Sequence, residues 1–343
     1  AEQVSGKFSV AADSGASDAV SWQIKVKTEP VMEAFTVAGF SDATASEELV
    51  IPGPTEIEMP TGGLSVKVMS TALGGLEHGF GFFRSNPYFC LEQRSSAYLM
   101  SLSAGPLLEE FGQKRPTEVG YDWKTIESLF SGELSHFQNS DGGMRSWKES
   151  GPSQPYLSAY VLFVLQIARE NGGKDFDGRK RIIEYLKNYL KKPDESRGLY
   201  LLESLAFIHY VLTRENEGQS GLGAFLRQKK DQLSLRGQGY LLLALAEAGT
   251  DANDGDVKAI LQNFRNSMDV TTRRVSFKNA TSSGQTYNAA GSTLAVILQS
   301  FMAVQKDHPL IPAMVQHAVA QSARDLWRDS HSSGHLAHAL ALY

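Results

Sequence analysis

Cysteine is almost missing from this sequence. Cys90 stands alone among 343 residues, which excludes an internal disulfide and any metal site built from several cysteines. Long apolar runs are missing too, and no stretch approaches the roughly 20 residues that a helix needs to cross a bilayer. There is no excess of basic charge. Lys and Arg number 33 against 38 Asp and Glu, a net of -5, so no nucleic-acid partner is expected. The start, Ala1-Glu2-Gln3-Val4, has neither a basic leader nor an apolar stretch, so no signal peptide is visible. The chain is expected to be cut from a longer protein. No cofactor motif stands out, and none is expected.

Two kinds of periodicity remain. Val20-Ser21-Trp22-Gln23-Ile24-Lys25-Val26 alternates apolar and polar side chains, the period of a half-buried strand. Leu64-Ser65-Val66-Lys67-Val68 does the same after the turn signal Pro60-Thr61-Gly62-Gly63, and Ile51-Pro52-Gly53-Pro54 adds breakers. From about Leu91 the period changes to 3.6. Leu157, Tyr160, Val161, Val164, Leu165 and Ala168 share one helix face. Tyr240 to Ala248 is apolar nearly all round and stops at Gly249. Asp307-His308-Pro309 reads as a capping Asp with an early proline. Mixed and strongly apolar helices alternate, which predicts a stacked or circular double layer of helices. The expected division is 1–75, a β-strand segment of a sandwich, and 76–343, a helical domain. A loose internal echo links Asp141-Gly142-Gly143, Trp147 and the helix at Pro155 with Trp327 and the helix at His331.

The densest chemistry lies in Asn86-Pro87-Tyr88-Phe89-Cys90-Leu91-Glu92-Gln93, directly ahead of helical sequence. Cys90 and Gln93 are three apart, so in a first helical turn their side chains face each other. A helix N-terminus lowers a thiol's pKa, and its free N–H groups can hold an oxyanion. Attack of the sulfur on the Gln93 side-chain carbonyl, with loss of ammonia, would leave an internal thioester. Such a bond is an activated acyl group for amines or hydroxyls, and it must be kept from water. The plain alternative for Cys90 is a buried small hydrophobe.

Pro87-Tyr88-Phe89-Cys90-Leu91-Glu92-Gln93 resembles the thioester motif of α2-macroglobulins and complement proteins, P-Y-G-C-x-E-Q in bacterial members. Further segments follow in the family's order. They are Leu64 to Leu76, Asp141-Gly142-Gly143 with Trp147, and Pro155-Tyr156-Leu157. Leu205 to Leu212, Gly239 to Leu245, and Trp327-Arg328-Asp329-Ser330 complete the series. The resemblance implies a mostly α chain, with an α/α-toroid thioester domain behind part of a CUB-like or macroglobulin-like β-sandwich. It implies a protease inhibitor rather than a turnover enzyme, acting in host defence. Its bait region, signal sequence and lipid anchor would lie in a longer periplasmic lipoprotein. On bait cleavage the Cys90–Gln93 thioester would acylate a lysine amine of the attacking protease, and the remaining domains of the parent would be its other partners. Pro87, Tyr88, Phe89, Leu91 and Glu92 would form the motif and shield the bond. Asp141, Gly142, Gly143, Trp147, Tyr156 and Trp327 would be structural. Two positions depart from the family pattern, with Phe89 in place of glycine and Asn86 in place of tyrosine. The stretch Lys192 to Leu199 carries none of the histidine that hydroxyl-directed members use, so amines are the expected targets.

His331, His335 and His338 form the rival signal. Their spacing puts three imidazoles on one helix face, a weak candidate for zinc without the acidic residue of H-E-x-x-H. His209 and His136 read as ordinary helix residues. Asp141-Gly142-Gly143 reads as a turn. Asp251-Ala252-Asn253-Asp254-Gly255-Asp256 resembles a calcium loop but has Gln262 where that loop needs a bidentate Glu, so it reads as a turn and helix cap. Two other functions fit a helical ring. One is an α/α-toroid enzyme, although no Asp-rich motif of a terpenoid cyclase and no evident carboxylate pair is present. The other is a module that attaches to surface amines through its thioester.

Overall fold

The computed structural model describes residues 2–26, 90–111, 132–192, 198–270, 275–277, 290–320 and 329–343. It also describes the single positions 44, 46, 48, 66, 76, 83, 127, 128, 130 and 327. Two units separate, residues 1–37 with 44–67 and residues 38–43 with 68–343. Pro52, Pro54, Pro60 and the alternating run 64–68 lie outside the described residues, apart from the exposed Val66.

In the first unit β1 (Glu2–Ala11) pairs antiparallel with β2 (Ser17–Val26), from Glu2↔Val26 to Ala11↔Ser17. Alternation brings Val4, Phe8 and Val10 beside Val20, Trp22 and Ile24 on one face. All six are exposed, where the sequence predicts a half-buried strand. A two-stranded ribbon supplies no opposing layer to bury its own apolar face.

The second unit is built from helices in two classes. The first class comprises α1 (Leu91–Glu110), α2 (Pro155–Glu170), α4 (Gly198–Arg214), α6 (Leu235–Glu247), α8 (Ala290–Val304) and α10 (Ser330–Leu342). Contacts run α1 to α2, α2 to α4, α4 to α6, α6 to α8, α8 to α10, and from α10 back to α1, so the six close into a ring. These are the helices with apolar or small side chains nearly all round. Thirteen consecutive residues of α2, Tyr156 to Ala168, are buried. The second class is α3 (Arg179–Lys191), α5 (Ser220–Gln228), α7 (Gly255–Ser267) and α9 (Leu310–Ala320). These pack outside the ring, each against an inner neighbour. They bury only a stripe, such as Val257, Ile260, Leu261 and Phe264 of α7. A short ribbon of β3 (Met268–Val270) and β4 (Val275–Phe277) leaves α7. The alternation of mixed and apolar helices in the sequence is thus the alternation of outer and inner layers.

Local signals account for several boundaries. Pro155 occupies the first turn of α2, where a missing N–H costs nothing. Gly249, at φ +74, ends α6 as its position requires. Asp254 caps α7, its Oδ1 accepting from the N–H groups of Asp256 at 2.9 Å and Val257 at 3.3 Å. One cap differs from expectation. At the start of α9 the Leu310 N–H donates to His308 Nδ1 at 3.2 Å, so His308 fills the role assigned to Asp307.

The ring encloses polar groups as well as apolar ones. Arg236 of α6 and Glu203 of α4 form a buried ion pair, with Arg236 Nε donating to Glu203 Oε1 at 3.0 Å. Arg236 Nη1 donates to Ser292 Oγ of α8 at 2.7 Å, and Ser234 Oγ donates to the second Glu203 oxygen. His331, His335 and His338 are buried on α10. His331 Nε2 lies 3.2 Å from Tyr156 Oη, and His338 Nδ1 lies 3.2 Å from Ser103 Oγ. His335 stacks on Tyr160 and Phe163, and neither of its ring nitrogens has a hydrogen-bond partner among the described residues. No group of three or more His, Cys, Asp or Glu among the described residues is arranged to hold a metal ion. The shared helix face predicted for the three histidines exists, but it packs into an aromatic core. Nor is any described helix long and apolar enough to cross a membrane.

Burial pushes all three imidazoles down, His338 to about 3, with Arg236 or Arg214 adding to the effect. The unfolded chain therefore binds more protons than the folded one from about pH 6.5 down to these lowered values. Stability falls as pH falls through that window, by about 1.4 kcal/mol per pH unit for each neutral histidine. Glu92, described below, has the opposite sign, and three groups outweigh one. The urea midpoint is expected to drop sharply from pH 7 to pH 5, and His335→Leu, which replaces the titrating ring with an apolar side chain, is expected to shrink the drop.

Candidate functional site

The candidate site sits at the N-terminus of α1, where the sequence places Cys90 and Gln93. Cys90 is the N-cap, in extended backbone at φ -67 and ψ 168. Its sulfur takes the position of a capping oxygen over the Gln93 N–H, and the Gln93 side chain reaches back. The Cys90 N–H donates to Gln93 Oε1 at 3.1 Å. This is the reciprocal capping box, with a thiol where Ser or Thr usually stands. Both residues are half-buried. The facing pair expected from i, i+3 spacing is therefore present. Pro87, Tyr88 and Phe89 lie outside the described residues.

The electrostatics differ from the sequence expectation. Burial pushes the Cys90 thiol up from its ordinary value, although N–H groups of Gln93 and Glu92 pull it down. The nearby Glu92 carboxylate raises it further. Desolvation is the largest of these effects and outweighs the N–H groups of the helix terminus. The surroundings thus raise the thiol rather than lower it.

Glu92 points inward. Its Oε1 accepts from Ser96 Oγ at 2.7 Å, and Ser330 Oγ bridges its two oxygens at 3.0 and 2.7 Å. Ser96 Oγ also lies 2.8 Å from Tyr160 Oη. Desolvation raises the Glu92 carboxyl to about 7, against the pull of the two serine hydroxyls. Leu91 packs in the core beside it. The sequence places Tyr160 on a helix face and Ser330 in the segment after Trp327, but it assigns neither of them, nor Ser96, to this site. The i, i+4 spacing of Glu92 and Ser96 was the available signal, whereas Ser330 is 238 residues away.

A second tie fixes the start of α1. The Leu91 N–H donates to Ser146 O at 3.0 Å, joining the motif to the Asp141-Gly142-Gly143 segment. That segment is the turn predicted for it. Gln138 bridges Met144, and Asp141 Oδ1 accepts from the Gly143 N–H at 2.9 Å and from Ser153 Oγ at 2.7 Å. Gly142 has φ +90, and a Cβ there would come 2.4 Å from the Arg181 backbone oxygen. Gly142→Ala is expected to cost about 1–3 kcal/mol through backbone strain alone, with the clash added. A drop in urea midpoint, accompanied by faster alkylation of Cys90, is the measurement. An unchanged midpoint would contradict the turn.

The other sequence-singled residues divide. Trp327 is buried, its Nε1 donating to Ala318 O at 3.0 Å, and Tyr156 is buried beside Tyr240 and His331. Trp147 is 52% exposed, so it is no core residue of the described structure. Next to it Lys148 pairs with Glu133 at 2.8 Å, and Arg94 pairs with the same carboxylate. These two cations hold Glu133 below its usual range, the Lys148 hydrogen bond contributing most. They also lie over the Phe137 ring at 6.0 and 5.5 Å.

No protein-family model matches the sequence, and no curated protein matches it. Solved structures do. Salmonella α2-macroglobulin reacted with methylamine aligns with a TM-score of 0.61 at 19% identity, over 78% of this chain and 17% of that one. Native Escherichia coli α2-macroglobulin, spanning domain MG7 to the C-terminus, aligns at 0.59 with 21% identity over 78% of this chain and 42% of that one. The trypsin-activated Escherichia coli protein aligns at 0.56 with 21% identity, over 75% and 17% respectively. Over about 78% of its length this chain has the fold of one part of bacterial α2-macroglobulins, and it spans between 17% and 42% of the three chains just described.

Proposed function

We propose that this chain is the thioester-bearing part of a protease-trapping bacterial α2-macroglobulin. The observation that carries the reading is the reciprocal pair of Cys90 and Gln93 on the first turn of an inner-ring helix. Thioester formation joins the Cys90 sulfur to the Gln93 side-chain carbon. The carbon–nitrogen bond breaks, and the nitrogen leaves as ammonia with the thiol proton. The N–H groups of Glu92 and Gln93, which already point at the sulfur, offer donors for the charge that develops. In the second step a lysine amine of the protease attacks the same carbon and expels the sulfur. Similar structures support this reading, since Salmonella α2-macroglobulin was reacted with methylamine and the Escherichia coli protein was activated by trypsin and by porcine elastase. The bait, the lipid anchor and the extracytoplasmic location belong to the same proposal, in a longer parent.

Incorporation of a fluorescent primary amine, followed by peptide mapping, tests it. Label is expected on Gln93, in proportion to the thiol released at Cys90. Equal labelling of the wild-type and Cys90→Ala proteins would overturn it.

A further inference from the structure

We propose that Glu92 is a positioning residue for the acyl transfer: its buried carboxylate, clamped by Ser96 and Ser330, ties the first turn of α1 to α10 and sets a negative charge that restrains the Cys90 sulfur from leaving. The inference rests on the function proposed above. Amine attack forms a nitrogen–carbon bond at Gln93 and breaks the carbon–sulfur bond. The bonding pair goes to Sγ, and the amine's proton passes to solvent or back to the sulfur. The departing thiolate is therefore born beside a carboxylate two residues away. Ionised Glu92 opposes that charge, as its effect on the Cys90 thiol already indicates. Protonated Glu92 does not.

The groups facing the carboxylate allow both forms near neutrality. Cys90 and Ser96 lie on its own segment. Tyr160 reaches it through Ser96 from α2, and Ser330 donates from α10. Asp329, also on the α10 side, adds negative charge and favours the protonated form. Behind Tyr160, His331 and His335 are neutral rings that bring no compensating charge. Ser330 is the first residue of α10 and Glu92 the second of α1, so one carboxylate joins the two ends of the ring's closing contact.

Glu92→Gln keeps the shape and removes the charge. In protein opened with methylamine, Cys90 of this variant is expected to react with iodoacetamide roughly three- to tenfold faster at pH 7.5 than in wild type. Methylamine uptake by unopened protein, corrected for amine ionisation, should fall across neutral pH in wild type and stay flat in Glu92→Gln. Should that variant fail to fold, Ser330→Ala carries the test. It strips two contacts that favour the carboxylate and should shift the wild-type pH profile upward. Equal alkylation rates and unchanged profiles in folded variants would overturn the inference. If neither protein shows a loss of ammonia by mass, the proposed function fails, and alkylation alone decides the role of Glu92: unequal rates sustain its hold on Cys90 and equal rates overturn it.

Discussion

Cys90→Ala is expected to reduce covalent amine uptake to background while leaving the ring folded. The two effects separate because the sulfur has two roles of unequal size. As the acyl carrier it is irreplaceable, since alanine offers nothing that can bond to the Gln93 carbon. As the N-cap of α1 it supplies one weak acceptor to the Gln93 N–H, and loss of a cap costs about 1 kcal/mol. Cys90→Ser restores an oxygen in the capping position and should recover that stability without recovering uptake. Urea unfolding together with amine labelling measures both. A large stability loss in Cys90→Ala, with labelling retained, would mean that Cys90 is a core residue and that the label sits elsewhere.

The second large effect concerns the ring itself. Glu203→Ala is expected to lower the unfolding free energy by about 3–5 kcal/mol, because it removes the carboxylate that balances a buried guanidinium. Arg236 is 1% exposed and cannot recover its hydration by a small movement. Ser234 and Ser292 hold the two partners from adjacent helices, so the loss should loosen the contacts of α4, α6 and α8 together. Replacing both partners with apolar residues, as in Glu203→Leu with Arg236→Met, should return much of the stability. Additive damage in the double variant would contradict the pairing.

Periodicity made the helical ring legible and left its polar interior hidden. The inner helix α6 announced itself because Tyr240 to Ala248 is apolar nearly all round. The 3.6 period of Leu157 to Ala168 marked only one face of α2, of which every residue from Tyr156 to Ala168 is buried. The cap at Asp254, the proline at the start of α2 and the glycine after α6 are local devices, readable from neighbours in sequence. Cys90 and Gln93 were readable for the same reason, since a capping box spans only four residues. Glu203 and Arg236 are 33 residues apart on separate helices. A charged side chain on a helix ordinarily marks the solvated face, so nothing local tells that these two turn inward and meet. The same holds for Glu92 and Ser330, and for three histidines whose spacing suits a metal as well as an aromatic stack. The depressed thiol pKa expected at a helix terminus fails because desolvation is a property of the whole packed site. The apolar face of β1 and β2 was legible as a pattern, but a pattern does not supply the layer that would cover it.

Intact mass of the untreated, unreduced protein, before and after methylamine, tests the central claim most directly. The account predicts a mass lower by one ammonia than the sequence requires. Methylamine should replace that deficit with one adduct on Gln93 and one free thiol on Cys90, and Cys90→Ala should show neither change. A full sequence mass, with Cys90 freely titrating and no adduct at Gln93, would contradict it.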